Sequence, residues 1–159
     1  CIPIDPNYLS FKVRTLGYPF RFVELAQEIS TRMPSYVVGR ITQNLNEAQQ
    51  SVNGAKILLL GVTYKPNIAD ERESPVRPLA RRLLNLGADL SYHDPLVTTW
   101  DIDGVSVPRV DDHLAAAETA DLTVLLQNHA SYDLESLATR ARRVFDTRGS
   151  MVGPAVERM

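Results

Sequence analysis

Apolar residues follow two rhythms along this chain, and the change between them falls near Asn53-Gly54. Before it they return every three or four positions, the spacing of one helix face. Asp5-Pro6 reads as an N-cap followed by proline at the first helical position, and Leu16-Gly17 as a stop. Together they predict a helix over about residues 6–16. Phe22, Ala26, Ile29 and Met33 predict a second helix over about residues 20–32, which Pro34 breaks or kinks. Val38, Ile41, Leu45, Ala48 and Val52 carry the rhythm to about residue 51, with Gln43, Asn44, Glu47 and Gln50 on the opposite side. A stripe this narrow buries itself against another element, either in its own domain or in a second copy of the chain. The spacing leaves both open.

Beyond Gly54 the apolar positions gather into short unbroken runs. Ile57 to Leu60 has no polar alternation, which suits a strand covered on both faces, as in a parallel sheet. Ser74-Pro75 opens a helix with Val76, Leu79, Ala80, Leu83 and Leu84 on one face and Gly87 as its stop, while Pro78 makes the first turn irregular. Asp89 to His93 predicts a second strand ending at Asp94-Pro95, and Gly104 to Pro108 a short extra one. Asp111 or Asp112 caps a helix to about Thr119, and Leu122 to Leu126 forms another buried strand. Asp133 to Arg140 is helical, and Val144-Phe145 closes the sheet. This alternation predicts an α/β fold: a doubly wound parallel sheet preceded by an α-helical linker.

Composition narrows the function classes. At 159 residues the chain can bury a real core in one domain and carry an appendage. With 17 lysines and arginines against 19 acids, there is no electrostatic case for nucleic-acid binding. No apolar run reaches membrane-spanning length, and the opening does not read as a signal peptide. The single cysteine excludes an internal disulfide and fits a reducing, cytoplasmic compartment. His93, His113 and His129 lack metal-ligand spacing, so no metal site is expected.

The loop between the Ile57–Leu60 run and Ser74 is the richest candidate site. Its length, about a dozen residues, is long for a βα connection and such length is often functional. It places Lys65, Asp70, Glu71, Arg72 and Glu73 beyond a strand's carboxyl end, where open α/β sheets bind ligands. Gly61 lacks the companions of a G-x-G-x-x-G fingerprint, so a ligand must be gripped by side chains, and Lys65 and Arg72 suit a phosphate-like anion. Read alone, each is more simply a solvated surface charge. Cys1, ahead of a helix N-terminus, is a candidate nucleophile, although Asp5 places an opposing charge nearby and a lone cysteine is more often inert. Asp94 is read as structural, and no role is assigned to Asn128 or His129.

Two motifs carry a resemblance. Gly61-Val62-Thr63-Tyr64-Lys65-Pro66, followed by Asp70-Glu71-Arg72-Glu73-Ser74-Pro75, resembles the C-terminal signature of the UDP-glucose/GDP-mannose dehydrogenase family. Cys1-Ile2-Pro3-Ile4-Asp5-Pro6-Asn7-Tyr8-Leu9 resembles that family's catalytic-cysteine motif. The likeness runs from Cys1 to about Arg148, leaving out the tail from Gly149 to Met159.

The resemblance implies an NAD-dependent oxidation of a UDP-sugar's C6 alcohol to the uronate through a cysteine thioester. Cys1 would be the nucleophile, and Asp5 would handle water or protons. Tyr64, where the family usually has phenylalanine, would contact the substrate together with Lys65 and Arg148, and Arg72 would reach the cofactor. Gly149 stands where a second basic residue is common after Arg148. Ile4, where UDP-glucose enzymes commonly carry lysine, points to UDP-N-acetylhexosamines. The resemblance also implies a Rossmann-like C-terminal domain over residues 53–159, behind a catalytic-cysteine and helical dimerisation segment over residues 1–52. A homodimer through residues 20–51 is implied, as is a preceding NAD-binding half outside this chain. The alternatives are a non-catalytic nucleotide-binding or dimerisation module and an N-terminal-nucleophile hydrolase, which the parallel α/β pattern disfavours.

Overall fold

A computed structural model describes residues 4–159. Helices α1 (Ile4–Thr15) and α2 (Arg21–Glu47) lead into strand β1 (Lys56–Leu60), helix α3 (Val76–Asn85) and strand β2 (Asp89–His93). A small antiparallel hairpin follows, β3 (Asp101–Ile102) with β4 (Val105–Ser106). Then come α4 (His113–Thr119), β5 (Leu122–Leu125), α5 (Leu134–Arg140), β6 (Val144–Asp146) and β7 (Val156–Arg158). The five-stranded sheet has the order β2-β1-β5-β6-β7 and is parallel throughout. No described helix is long and apolar enough to cross a membrane.

The unbroken apolar run of β1 is explained by burial on both faces. Successive strand residues point to opposite sides. Ile57 and Leu59 join one core with Val38, Ile41 and Leu45 of α2 and Leu79 and Leu83 of α3. Leu58 and Leu60 join a second core with Ala117 of α4 and Leu137 of α5. The turn after α3 is a Schellman motif: Gly87 takes φ +81°, its N–H donates to the Leu84 carbonyl, and the Ala88 N–H donates to that of Leu83. Pro78 falls in the first turn of α3, where a missing N–H breaks no helical hydrogen bond.

Three expectations change. Pro34 does not break α2, which runs on as one helix of 27 residues; Pro34 is buried on the face that carries Val37, Val38 and Ile41, and packing of that face carries the helix past the absent N–H. The Val38, Ile41 and Leu45 stripe lies in this chain's own core, with Ile41 0% exposed, so it is not available as a seam between copies. Finally, Val144-Phe145 does not close the sheet: β7, from the tail, pairs parallel to β6 and forms the edge.

Candidate functional site

The chain leaves β1 for β2 on one side of the sheet and later returns through β5 on the other. The crevice beyond the carboxyl ends of β1 and β5 is therefore the topological switch point, the usual ligand position in an open α/β sheet. Gly61 makes the turn there with φ +79°. A Cβ at this position would lie 2.5 Å from the Gln127 Cβ and 2.6 Å from its carbonyl oxygen, so only glycine fits.

The base of the β1 loop is tied down by two buried groups. Asp94 Oδ2 accepts from the N–H groups of Val62 (2.8 Å) and Thr63 (3.3 Å), and Asp94 Oδ1 from that of Leu96 (2.9 Å). His129, like Asp94 0% exposed, places Nε2 3.1 Å from Asp94 Oδ2 and 3.2 Å from Thr63 Oγ1. Its Nδ1 accepts from the Asn67 N–H at 3.0 Å, so a neutral ring carries its proton on Nε2 and donates toward Asp94. Burial opposes charge on Asp94, but the hydrogen bonds from His129, Leu96 and Val62 outweigh it and hold its pKa below the ordinary carboxylate value. Asp94 is thus a structural organiser of the loop, as its Asp-Pro context suggests. His129, to which sequence reasoning gave no role, is its partner.

The outer loop is different in kind. Lys65 is exposed. Arg72, 86% exposed at its side chain, forms a two-pronged ion pair with Asp70, from Nε to Oδ1 and from Nη2 to Oδ2, both 2.9 Å. Hydrogen bonds from the Arg72 side chain and backbone hold the Asp70 carboxyl down at about 2.

Arg148 sits just past β6. The buried carboxylate of Asp146 accepts from the N–H groups of Arg148, Gly149 and Met151 at 2.7–3.0 Å, which shapes the turn. The Arg148 guanidinium donates to Gln127 Oε1, and Gln127 Nε2 donates to the Tyr64 carbonyl at 2.9 Å. Tyr64 and Arg148, 84 positions apart in the chain, therefore meet through Gln127. A cavity of about 230 Å³ opens beside Arg148 and Thr147, walled by Met33 and Val37 of α2 and by Val76 and Leu79 of α3.

Of the residues singled out in the sequence, Tyr64, Lys65 and Arg148 lie on two loops at the switch point. Arg72 lies on the same loop but is engaged with Asp70. Asp5 is exposed in the first turn of α1, and among the described residues no hydrogen bond or ion pair joins it to these loops. Cys1 lies outside the described residues. Gln127 was missed; its signal is its place two residues past β5, next to the strand whose glycine turn it crosses.

A family model described as "UDP-glucose/GDP-mannose dehydrogenase family, UDP binding domain" matches residues 58–152. The chain is 31% identical over 101 residues to the UDP-N-acetyl-D-glucosamine 6-dehydrogenase of Pseudomonas aeruginosa, an alignment covering 64% of this chain and 24% of that protein. It is 28% identical over 156 residues to a UDP-N-acetyl-D-mannosamine dehydrogenase of Methanococcus maripaludis, covering 93% of this chain and 34% of that one. The solved UDP-glucose dehydrogenase of Pyrobaculum islandicum matches with a TM-score of 0.74 at 29% identity, over 92% of this chain and 33% of that one. This chain spans about a third or less of the length of these proteins.

Proposed function

Because the chain belongs to the UDP-glucose/GDP-mannose dehydrogenase family, we propose that it is the C-terminal part of an NAD-dependent UDP-sugar 6-dehydrogenase acting in the cytoplasm. One observation carries the reading: the meeting of Tyr64 and Arg148 at the switch point, on loops that also bear Lys65. A nucleotide sugar brings a diphosphate, and the Arg148 guanidinium together with the Lys65 ammonium on the β1 loop would supply compensating charge and directed donors. The apolar cavity walled by α2 and α3 offers room next to Arg148.

NAD, when bound, would supply the hydride acceptor, one molecule being consumed for each of the two oxidations. Arg72 is the residue of this chain that would hold it; its two-pronged pair with Asp70 supports the choice, because a fork that takes two carboxylate oxygens has the geometry to take two phosphate oxygens once Asp70 is displaced. After the C6 alcohol has become an aldehyde, the Cys1 thiolate adds to it, and departure of a second hydride leaves a thioester. Asp5 assists a water in attacking the thioester carbonyl, which releases the uronate and restores the thiolate. The substrate is a UDP-N-acetylhexosamine, probed as UDP-N-acetylglucosamine or UDP-N-acetylmannosamine. Ile4 in the opening motif and the activities named for the two relatives support that choice. The homodimer through residues 20–51 uses the exposed side of α2, with Phe22, Leu25 and Ile29, rather than the buried stripe.

In the full-length protein, a panel of UDP-sugars with NAD tests the reading. Cys1→Ala should abolish uronate while leaving trappable aldehyde, and Asp5→Asn should prolong a substrate-sized adduct on the Cys1 peptide. Uronate formed by Cys1→Ala at the wild-type rate rejects the nucleophile. UDP binding without NADH from any UDP-hexose makes the chain a nucleotide-binding module instead.

A further inference from the structure

Arginines in this fold are mostly paired with acids: Arg72 with Asp70, Arg81 with Asp103, Arg109 with Asp111 and Arg140 with Glu118. Arg148 is held in another way. Among the described residues its guanidinium has no ion pair, and its recorded side-chain partner is the neutral amide oxygen of Gln127. A neutral acceptor orients a guanidinium without cancelling its charge, and one bond leaves four of five donors for a ligand.

The Gln127 amide is itself fixed. Its nitrogen faces the carbonyls of Tyr64 (2.9 Å) and Thr63 (3.4 Å), and its oxygen faces a guanidinium, so the reverse orientation would oppose like groups at both ends. The residue is 3% exposed, which removes it from direct contact with a ligand. Its backbone is pinned as well, because its N–H donates to the Leu60 carbonyl and the turn at Gly61 passes over it with no room for a methyl group.

Building on the reading that Arg148 contacts the nucleotide sugar, we propose that Gln127 is a positioning residue for the diphosphate: it clasps Arg148 to the Tyr64 carbonyl and so sets one cation against the loop that carries the other, Lys65. A free arginine must give up much rotamer freedom on binding, whereas a clasped one has surrendered it already. Gln127 thereby couples the β1 loop to the turn after β6.

The test is a double-mutant cycle on the full-length protein, titrated calorimetrically with UDP and accompanied by thermal unfolding of each variant. Gln127→Met keeps the length and removes all three side-chain hydrogen bonds; Gln127→Asn keeps the amide but is one methylene too short to span. Each should weaken UDP binding about tenfold, as expected for loss of an orienting polar contact. In an Arg148→Ala background either change should cost less than about twofold further, since its effect runs through Arg148. Arg148→Ala that weakens UDP while the Gln127 variants do not overturns the clasp alone. So do penalties that multiply fully in the double variant, the pattern of a merely structural role. UDP affinity unchanged in Arg148→Ala overturns the underlying assignment of Arg148, and the clasp with it.

Discussion

The front of the molecule and its sheet use apolar residues in opposite ways. In the sheet, Ile57, Leu58, Leu59 and Leu60 are sealed between two helix layers. In α1, the turn after it and the first half of α2, Tyr8, Phe11, Leu16, Tyr18, Phe22, Leu25 and Ile29 all face outward, with Phe22 80% exposed. The two helices are joined there by polar contacts, with Arg14 and Ser10 both reaching Glu24. This exposed apolar face is the one that the proposed homodimer would cover. One helix, α2, thus lies half in the core and half with its apolar side chains exposed.

The sharpest way to break that contrast is to put a charge at the same helical spacing in each half. Ile41→Asp should cost at least about 4 kcal/mol, through lost burial and an unpaired buried charge, and abolish cooperative unfolding. Circular dichroism melts would show it.

Acid should also act on the sheet half. Burial, reinforced by the nearby charges of His113 and Arg109, pushes the His93 pKa from 6.5 to about 4. His113 is lowered too, mainly by burial. The unfolded chain therefore binds more protons than the folded one between about pH 6.5 and 4. The histidines' contribution to stability is full above that window, falls as pH drops through it, and levels off below. For His93 alone the loss approaches about 3 kcal/mol, at 1.36 kcal/mol for each unit. Urea denaturation from pH 7 to 4.5 would give the slope, and His93→Asn should flatten it.

Glycines sharpen the comparison within the sheet domain. Gly61→Ala should cost about 2–3 kcal/mol, because a left-handed backbone and a collision with the Gln127 backbone add together. Gly54, at φ +81° with open space around it, should lose only about 1 kcal/mol on the same change. Equal melting points for the two variants would mean that the close approach to Gln127 is not a constraint.

The smallest expected effect on folding is at the front of α2. Phe22→Asp should alter stability by less than about 0.5 kcal/mol, as at an exposed site. In sedimentation it should nevertheless weaken self-association, and a wild-type monomer at tens of micromolar, roughly the range in which weak dimers persist, would reject the dimer.

Much of this was legible in the residues. The runs at Ile57–Leu60 and Leu122–Leu126, the cap at Asp111 or Asp112, which the structure assigns to Asp112, the helical stretch from Asp133 and the stop at Gly87 determine the kind and order of the elements, because backbone geometry and capping are local. The long loop and its cations were equally plain, as was the family likeness of its motif. Tertiary structure decided the rest. Helical spacing reports that a face is buried but not against what, so Val38, Ile41 and Leu45 read as well for a dimer seam as for the core they occupy. A strand of three residues such as β7 has almost no pattern of its own and exists through its pairing with β6. Gln127 finds Tyr64 from 63 positions away, and His129 finds Asn67 from 62. Such contacts depend on which strands lie side by side, and that is settled only when the sheet has formed.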